Sequence, residues 1–425
     1  MKVVVAIPIQ QHSFELAKAL QETGDLDTYI TSIYYKKFNL TGVVSHFLPA
    51  DLRLRAKSRH IDGLPDKKVK QFCEIDNLAV TFIAKKLPEY YSEATRRFRD
   101  KFDLRIRNFI KNRDPDMVIT YDGCSPLLFE WMKKEMPQTI RVLDVSAANP
   151  IYMKAIYEKD FHLAPDFSEM LRLERDFCWD SQLLERQDRE FMAAQYFLVG
   201  SEFVRKSLMY SGIDSGNIYT CRYGVDLNAF REKEHCQPSP GEKVRFLYVG
   251  GTKELKGISY LLKAYQKLDH EKAELTIVGA NTLSEDLQSK YCSDVDFTGY
   301  VSFSEMPEVF RTHDVFVFPS LGEGFGLVIL EAMASGLPVI STVNTGAFEV
   351  IEEGKDGFLV PVQDENILAE RMQWFVDYRE QIPQMGEYAA ASLRNWGGQS
   401  MDWTVYHQTV QRAIQDITGK TGGEV

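Results

Sequence analysis

The sequence predicts an α/β protein built from two doubly wound parallel-sheet domains. Three observations carry that expectation. The chain has 425 residues, too many for one typical hydrophobic core. Short β-rich runs alternate with stretches of helical periodicity, and the whole alternation occurs twice. From Asp314 to Gly336 an apolar run enters a glycine-rich loop and leaves it as a helix pattern, the order of a parallel βα unit.

In the first half, Val3–Ile7 reads as a buried strand, and Phe14, Ala17 and Leu20 share a helix face that ends near Gly24. Met117–Thr120, Val142–Val145 and Tyr196–Val199 read as further strands. Ser201 follows as the N-cap of a helix reaching Met209. The polar stretch from Gly224 to Glu242, with its Gln-Pro-Ser-Pro-Gly run, reads as a linker. Arg245–Val249, Leu275–Val278, Val315–Phe318, Val339–Ser341 and Phe358–Val360 are the strands of the second half. A last helix is predicted from Ser400 as N-cap, with Trp403, Tyr406, Val410, Ile414 and Ile417 along one face. That face needs a partner, and the helix is expected to return to the first domain. The expected division is 1–225, 226–399 and the returning helix at 400–425.

Apolar and charged fractions of 44% and 26% are those of a soluble globular protein. Net charge is −11, which argues against a general nucleic-acid binder. The charge is uneven: residues 51–113 hold 17 basic and 9 acidic side chains, a net of +8. Six cysteines, at 73, 124, 178, 221, 236 and 292, show no metal-knuckle or Cys-x-x-Cys spacing, so a reduced, cytoplasmic chain is expected. The opening is too short and too soon polar for a signal peptide, and no apolar stretch is long enough to span a membrane.

In doubly wound sheets ligands sit at the carboxyl ends of strands, so the post-strand loops carry the candidates. Glu323 lies in the glycine-rich loop, and Glu331 about one turn into the helix that begins near Leu327. The helix N-terminus and the loop N–H groups suit an anion, most often a phosphate. Carboxylates beside such a site suit neutral hydroxyls, such as those of a ribose or hexose. Lys256 follows a strand and the pair Gly250 and Gly251, where a mobile ammonium meets a diphosphate. On the first domain, Gln11 and His12 follow the first strand, Asp122 follows Tyr121, and Asp144 and Ser146 end Val142–Val145. These are acceptor-side candidates by position; a strand-end aspartate caps the next turn equally well. No Asp-x-Asp clamp fits a post-strand loop, so no metal is expected.

The run from Phe318 to Gly336 closely resembles the paired-glutamate motif of retaining family-four glycosyltransferases with the GT-B fold, two Rossmann-like domains facing across a cleft. The resemblance implies that Glu323 binds the donor sugar and Glu331 the nucleotide ribose, with Gly324, Phe325, Gly326, Leu327 and Val328 lining sugar and diphosphate. Ser201–Arg205, Tyr223–Asp226 and Phe230 look like the family's inter-domain segment. Tyr248–Gly251 with Lys256 and Gly257, Val278–Gly279, Gly299–Val301 with Tyr300, Thr345–Glu349 and Asp356–Leu359 look like its later motifs. It thus covers the second half almost end to end and the first half weakly. The resemblance implies transfer of a sugar from a nucleotide diphosphate sugar to a glycan, lipid-linked glycan or small-molecule acceptor, with anomeric retention. Glu323, Lys256 and Asp144 are the expected catalytic residues.

The chain departs from the family at three places. Gly251 stands where an arginine usually shares the diphosphate with the lysine, and Lys253 or the other domain is left to compensate. The loop after the first strand lacks the usual glycines, and no histidine follows Asp144. These departures favour a second reading, a catalytically inactive GT-B subunit that scaffolds a partner transferase. A GT-B sugar-nucleotide epimerase or glucan synthase is a third. The basic region is expected either as solvated helix faces or as a peripheral contact with anionic lipid at the inner membrane face. Phe98, Phe102 and Phe109 would then insert at the interface or pack in the core.

Overall fold

The computed structural model describes the chain except residues 10, 11, 38, 47–52, 54, 55, 58, 88, 89, 175–177, 234–241 and 423–425. In the first domain the strands are β1 (Val3–Ala6), β2 (Leu26–Thr31), β3 (Val69–Gln71), β4 (Met117–Tyr121), β5 (Ile140–Val145), β6 (Tyr196–Val199) and β7 (Ile218–Thr220). The second domain holds β8 (Val244–Val249), β9 (Ala273–Val278), β10 (Val295–Gly299), β11 (Val315–Phe318), β12 (Val339–Thr342) and β13 (Gly357–Val360). They form two parallel sheets, ordered β3-β2-β1-β4-β5-β6-β7 and β10-β9-β8-β11-β12-β13. The expected two-domain α/β class is observed.

Central strands are buried on both faces by helices, so they read as continuous apolar runs. Every residue of β1, β4 and β5 is buried. Edge strand β10 shows one face to solvent and alternates instead. Strand order reverses between β1 and β4 and between β8 and β11. At these switch points the post-strand loops diverge and leave a crevice. The loops carrying His12, Asp122, Lys256 and Glu323 all follow switch-point strands.

The chain crosses between the domains twice. Val225 N–H donates to Met401 O at 3.1 Å, so the two crossings lie side by side. A Cβ on Gly224 would come within 2.3 Å of the Asp402 backbone, which explains glycine at that contact. The last helix, Trp403–Gly422, packs on the helix Ser13–Glu22. Its N-cap is not Ser400, as the sequence suggested: Asp402 Oδ1 accepts from Thr404 N–H at 2.8 Å. The face expected to be buried is so, with Tyr406, Val410, Ile414 and Ile417 in the core. His407 joins the two helices, 2.9 Å from Glu22 and 3.0 Å from Glu15. Burial opposes its charge, but the two carboxylates outweigh that and hold His407 above its ordinary pKa.

On the far side of the crevice the domains meet through carboxyls. Asp160, on the helix Pro150–Leu163, accepts from Tyr260 OH at 2.6 Å and from Gln363 Nε2 at 3.1 Å. It also faces Glu254, which is wholly buried; burial lifts both carboxyls above the ordinary range. Glu174 accepts from the backbone N–H of Glu254 and Leu255 at 3.1 and 2.9 Å. The turn that carries Lys256 is thereby fastened to the first domain.

Candidate functional site

A cleft of about 440 Å³ lies between the two sets of carboxyl strand ends. Its second-domain wall is Val249, Gly250, Lys256, Phe318 and the segment Glu323–Val328; His12, Ser146 and Tyr223 form the opposite wall. Local backbone demands fix the glycines. Gly326 has φ +88° and stands as N-cap of the helix Leu327–Ala334, a conformation that side chains with a Cβ resist. Gly257, at φ +73°, opens the helix Ile258–Tyr265, and a Cβ there would sit 1.9 Å from Pro319 O. The Lys256 turn and the Glu323 loop are therefore pressed backbone to backbone.

Lys256 Nζ donates to Glu323 Oε1 at 2.5 Å and lies 5.8 Å from the centre of the Phe318 ring. Ser320 Oγ donates to the same carboxylate oxygen at 2.8 Å. The Glu323 N–H donates to Asn344 O at 2.9 Å, which fixes the loop against the residues after β12. The arrangement holds a positive and a negative group side by side at a helix N-terminus, ready to divide between an anion and hydroxyls.

Glu331 lies farther into the helix, half-buried and outside the residues that line the cleft. Among the described residues nothing hydrogen-bonds or pairs with its carboxyl. Burial pushes its pKa up to about 7. Carboxyls with pKa values raised in this way cluster at functional sites.

Across the cleft, His12 Nε2 is 2.9 Å from Asp144 Oδ2 and 3.3 Å from Tyr223 OH. A carboxylate only accepts, so Nε2 is the donor to Asp144. Tyr121, Tyr223 and Tyr406 surround the imidazole, with ring centres 4.5–5.9 Å away. The sequence showed no histidine after Asp144; the fold delivers one there from the loop after β1. Asp122 Oδ1 accepts from Ser146 N–H at 2.9 Å and Ser146 Oγ at 2.8 Å. Burial raises the Asp122 pKa, against the pull of those hydrogen bonds. Its place is behind Ser146, not in the cleft wall.

Ser146 in turn meets Gly324. A Cβ on Gly324 would lie 1.9 Å from Ser146 O, and Ser201 Oγ donates to Gly324 O at 2.5 Å. Glu349 adds a second tie, accepting from Glu202 N–H at 2.7 Å and Arg222 Nε at 2.8 Å. Gly324→Ala is therefore expected to force the cleft open. Small-angle scattering should register a larger radius of gyration, and an unchanged radius would refute the contact.

Several other sequence candidates stand apart from the cleft wall. Gly279, at φ +142°, lies under Gly250, where a Cβ would meet Gly250 O at 2.1 Å; it shapes the loop from below. Gly251 has room for a side chain, its nearest neighbours being Ala280 O at 3.8 Å and Lys253 Cγ at 3.8 Å. Tyr300 and Val301 follow edge strand β10, with Tyr300 70% exposed, and neither lines the cleft. Gln11 lies outside the described residues. Sequence reasoning did not place Tyr223 or Phe318 in the site. Tyr223 comes shortly after β7, a short edge strand with no apolar run to mark it, so the sequence ties this residue only to the domain connection.

The family model described as "Glycosyl transferases group 1" matches residues 243–377. The chain is 29% identical over 234 residues to the sulfoquinovosyl transferase of Arabidopsis thaliana, covering 52% of this chain and 46% of that protein. It thus spans about half of that relative's length. Sucrose-phosphate synthase from Thermosynechococcus elongatus superposes with a TM-score of 0.67 at 17% identity, over 99% of this chain and 100% of that one. Anabaena HepE in complex with UDP superposes with a TM-score of 0.60 at 14% identity, over 98% and 100%. The fold is GT-B, and the match to the group 1 glycosyltransferase model falls within its second domain.

Proposed function

We propose that this chain transfers a sugar from a nucleotide diphosphate sugar to an acceptor hydroxyl, with retention of anomeric configuration. The acceptor is a glycan, a lipid-linked glycan or a small molecule. The observation that carries this reading is the half-buried carboxyl of Glu331, without a partner among the described residues, behind a helix N-terminus that Lys256 and Glu323 flank. Ribose hydroxyls would supply its missing hydrogen bonds, the diphosphate would lie at the N-terminus beside Lys256, and Glu323 would take the sugar hydroxyls. In the names of the similar proteins, a sulfoquinovosyl transferase and a UDP complex support the same substrate class.

In this reading residues 226–399 hold the donor, residues 1–225 the acceptor, and the helix after 400 joins the first domain. The bond from the anomeric carbon to the diphosphate breaks, and the acceptor oxygen forms the new one on the same face. The departing phosphate oxygen takes the acceptor's proton. Lys256 and the helix N-terminus offset the charge that develops on the diphosphate, and no metal is required. Asp144 acts through His12, which it orients. A cytoplasmic protein, peripheral at the inner membrane face through residues 51–113, completes the proposal.

The test is a thermal-shift screen of nucleotide diphosphate sugars, followed by NMR of the product's anomeric proton. One donor should raise Tm, and the glycoside should keep the donor's anomeric configuration. No shift with any donor would leave the scaffolding reading. An altered sugar nucleotide formed without acceptor would leave the epimerase reading.

A further inference from the structure

The helix Glu74–Lys86 wears its apolar stripe on the outside. Ile75, Leu78 and Phe82, spaced by three and four residues, share one face and are 73%, 45% and 61% exposed. Leu87, Tyr90 and Tyr91 are exposed as well. Among the described residues of this helix none is fully buried. Its inner face is held by polar contacts: Asn77 Nδ2 donates to Ser32 Oγ at 2.7 Å and to Pro8 O at 3.3 Å. Amphipathic helices on globular proteins ordinarily show the reverse pattern, and exposed apolar strips of this kind mark interaction sites.

The neighbouring helix, Tyr91–Arg113, packs against it, with Lys101 Nζ donating to Asp76 Oδ1 at 2.6 Å. Its own apolar residues Phe98, Phe102, Ile106 and Ile110 are in the core. Phe109 packs there too, against Phe72 at 5.8 Å. The aromatics expected at an interface are thus turned inward. So is Arg99, which donates to Gly123 O at 3.0 Å. Outside, Arg97, Lys101 and Arg105 recur every four residues, with exposed Leu104 among them. Apolar and basic stripes therefore lie side by side on a two-helix hairpin, in a chain that is acidic overall.

We infer that this hairpin docks on an anionic bilayer, with Ile75, Leu78 and Phe82 entering the headgroup layer and Arg97, Lys101 and Arg105 meeting lipid phosphates. The inference deepens the membrane contact included in the functional reading. Charge complementarity selects the occupant: a basic row suits anionic lipid, and a face-to-face second copy would set two basic rows against each other. Because Asn77 ties the helix to Pro8, just after β1, the docked surface lies on the strand-end side of the first sheet, where the cleft opens.

The test is co-sedimentation with phosphatidylcholine vesicles, with and without phosphatidylserine, in 0.1 M salt. The protein should pellet only with the anionic vesicles. Ile75→Ser, Leu78→Ser and Phe82→Ser combined should weaken binding about tenfold or more, although net charge is unchanged. Arg97→Glu, Lys101→Glu and Arg105→Glu combined should abolish it. The circular dichroism spectrum and melting temperature of each variant should match the parent and show that both are folded. Equal binding to neutral vesicles, none to either, or full binding by the serine variant would overturn the inference. So would a dimer of the parent, seen by sedimentation velocity, that the serine variant dissolves. Vesicle binding is read without turnover, so failure of the transferase reading leaves this result standing, and the converse holds.

Discussion

Glu331→Gln is expected to make the empty protein more stable and to weaken its hold on nucleotide. Burial lifts this carboxyl from an ordinary 4.5 to about 7. Below the ordinary value both folded and unfolded chains carry the proton, and the group contributes nothing. As pH rises toward 7 the unfolded chain ionises first, so folding loses stability. Above 7 the whole penalty is present, about 3 kcal/mol by linkage. Glutamine removes it. At pH 8 the variant should melt several degrees above the parent, and the difference should vanish near pH 4. Nucleotide diphosphate binding should fall tenfold or more, since hydrogen bonds from hydroxyls to a carboxylate contribute about 1.5–3 kcal/mol. Calorimetry and thermal melts across pH separate the two effects. An equal melting temperature at pH 8 would show that the carboxyl already has a partner; equal affinity would remove it from the nucleotide site.

The largest loss of turnover is expected from Glu323→Gln. This carboxylate accepts from Lys256 and Ser320. Donor binding would draw Lys256 toward the diphosphate, leaving Glu323 to the sugar hydroxyls. Glutamine keeps the shape and loses the charge. Affinity for the bare nucleotide diphosphate should change little, while kcat falls on the order of a hundredfold or more, the scale of losing one preorganised electrostatic contact. Parental turnover in the variant would contradict the placement of this loop.

Much of this architecture was readable from residue order. Buried central strands such as Met117–Tyr121 and Val315–Phe318 are unbroken apolar runs, so they announce themselves. Strands β2, β3, β7 and β10 escaped for a physical reason: they are short, lie off the sheet centre or show a face to water, and so mix polar residues with apolar ones. Within the site, the glycine loop and its helix are local in sequence, and Glu323 to Val328 stand together in the cleft as read. The pair of His12 and Asp144 joins residues 132 apart and depends on which strands neighbour the switch point. No local spacing encodes that contact. The same holds for Arg99, which shares a charged run with surface arginines but faces inward because of helix phase.

The last helix has a bearing on how the protein is made. His407 closes on Glu15 across 392 residues of chain. A ribosome adding roughly 5–20 residues per second needs roughly 20–80 s to span that interval. Throughout that time the Ser13–Glu22 helix has been synthesised without the partner that covers it. Each sheet, Val3–Thr220 and Val244–Val360, has all its pairing partners within one contiguous stretch and can form before this helix emerges. The outer face of the Ser13–Glu22 helix is thus the last surface of the first domain to be covered, and a nascent chain stalled short of Trp403 would present that face to whatever chaperone or protease meets it.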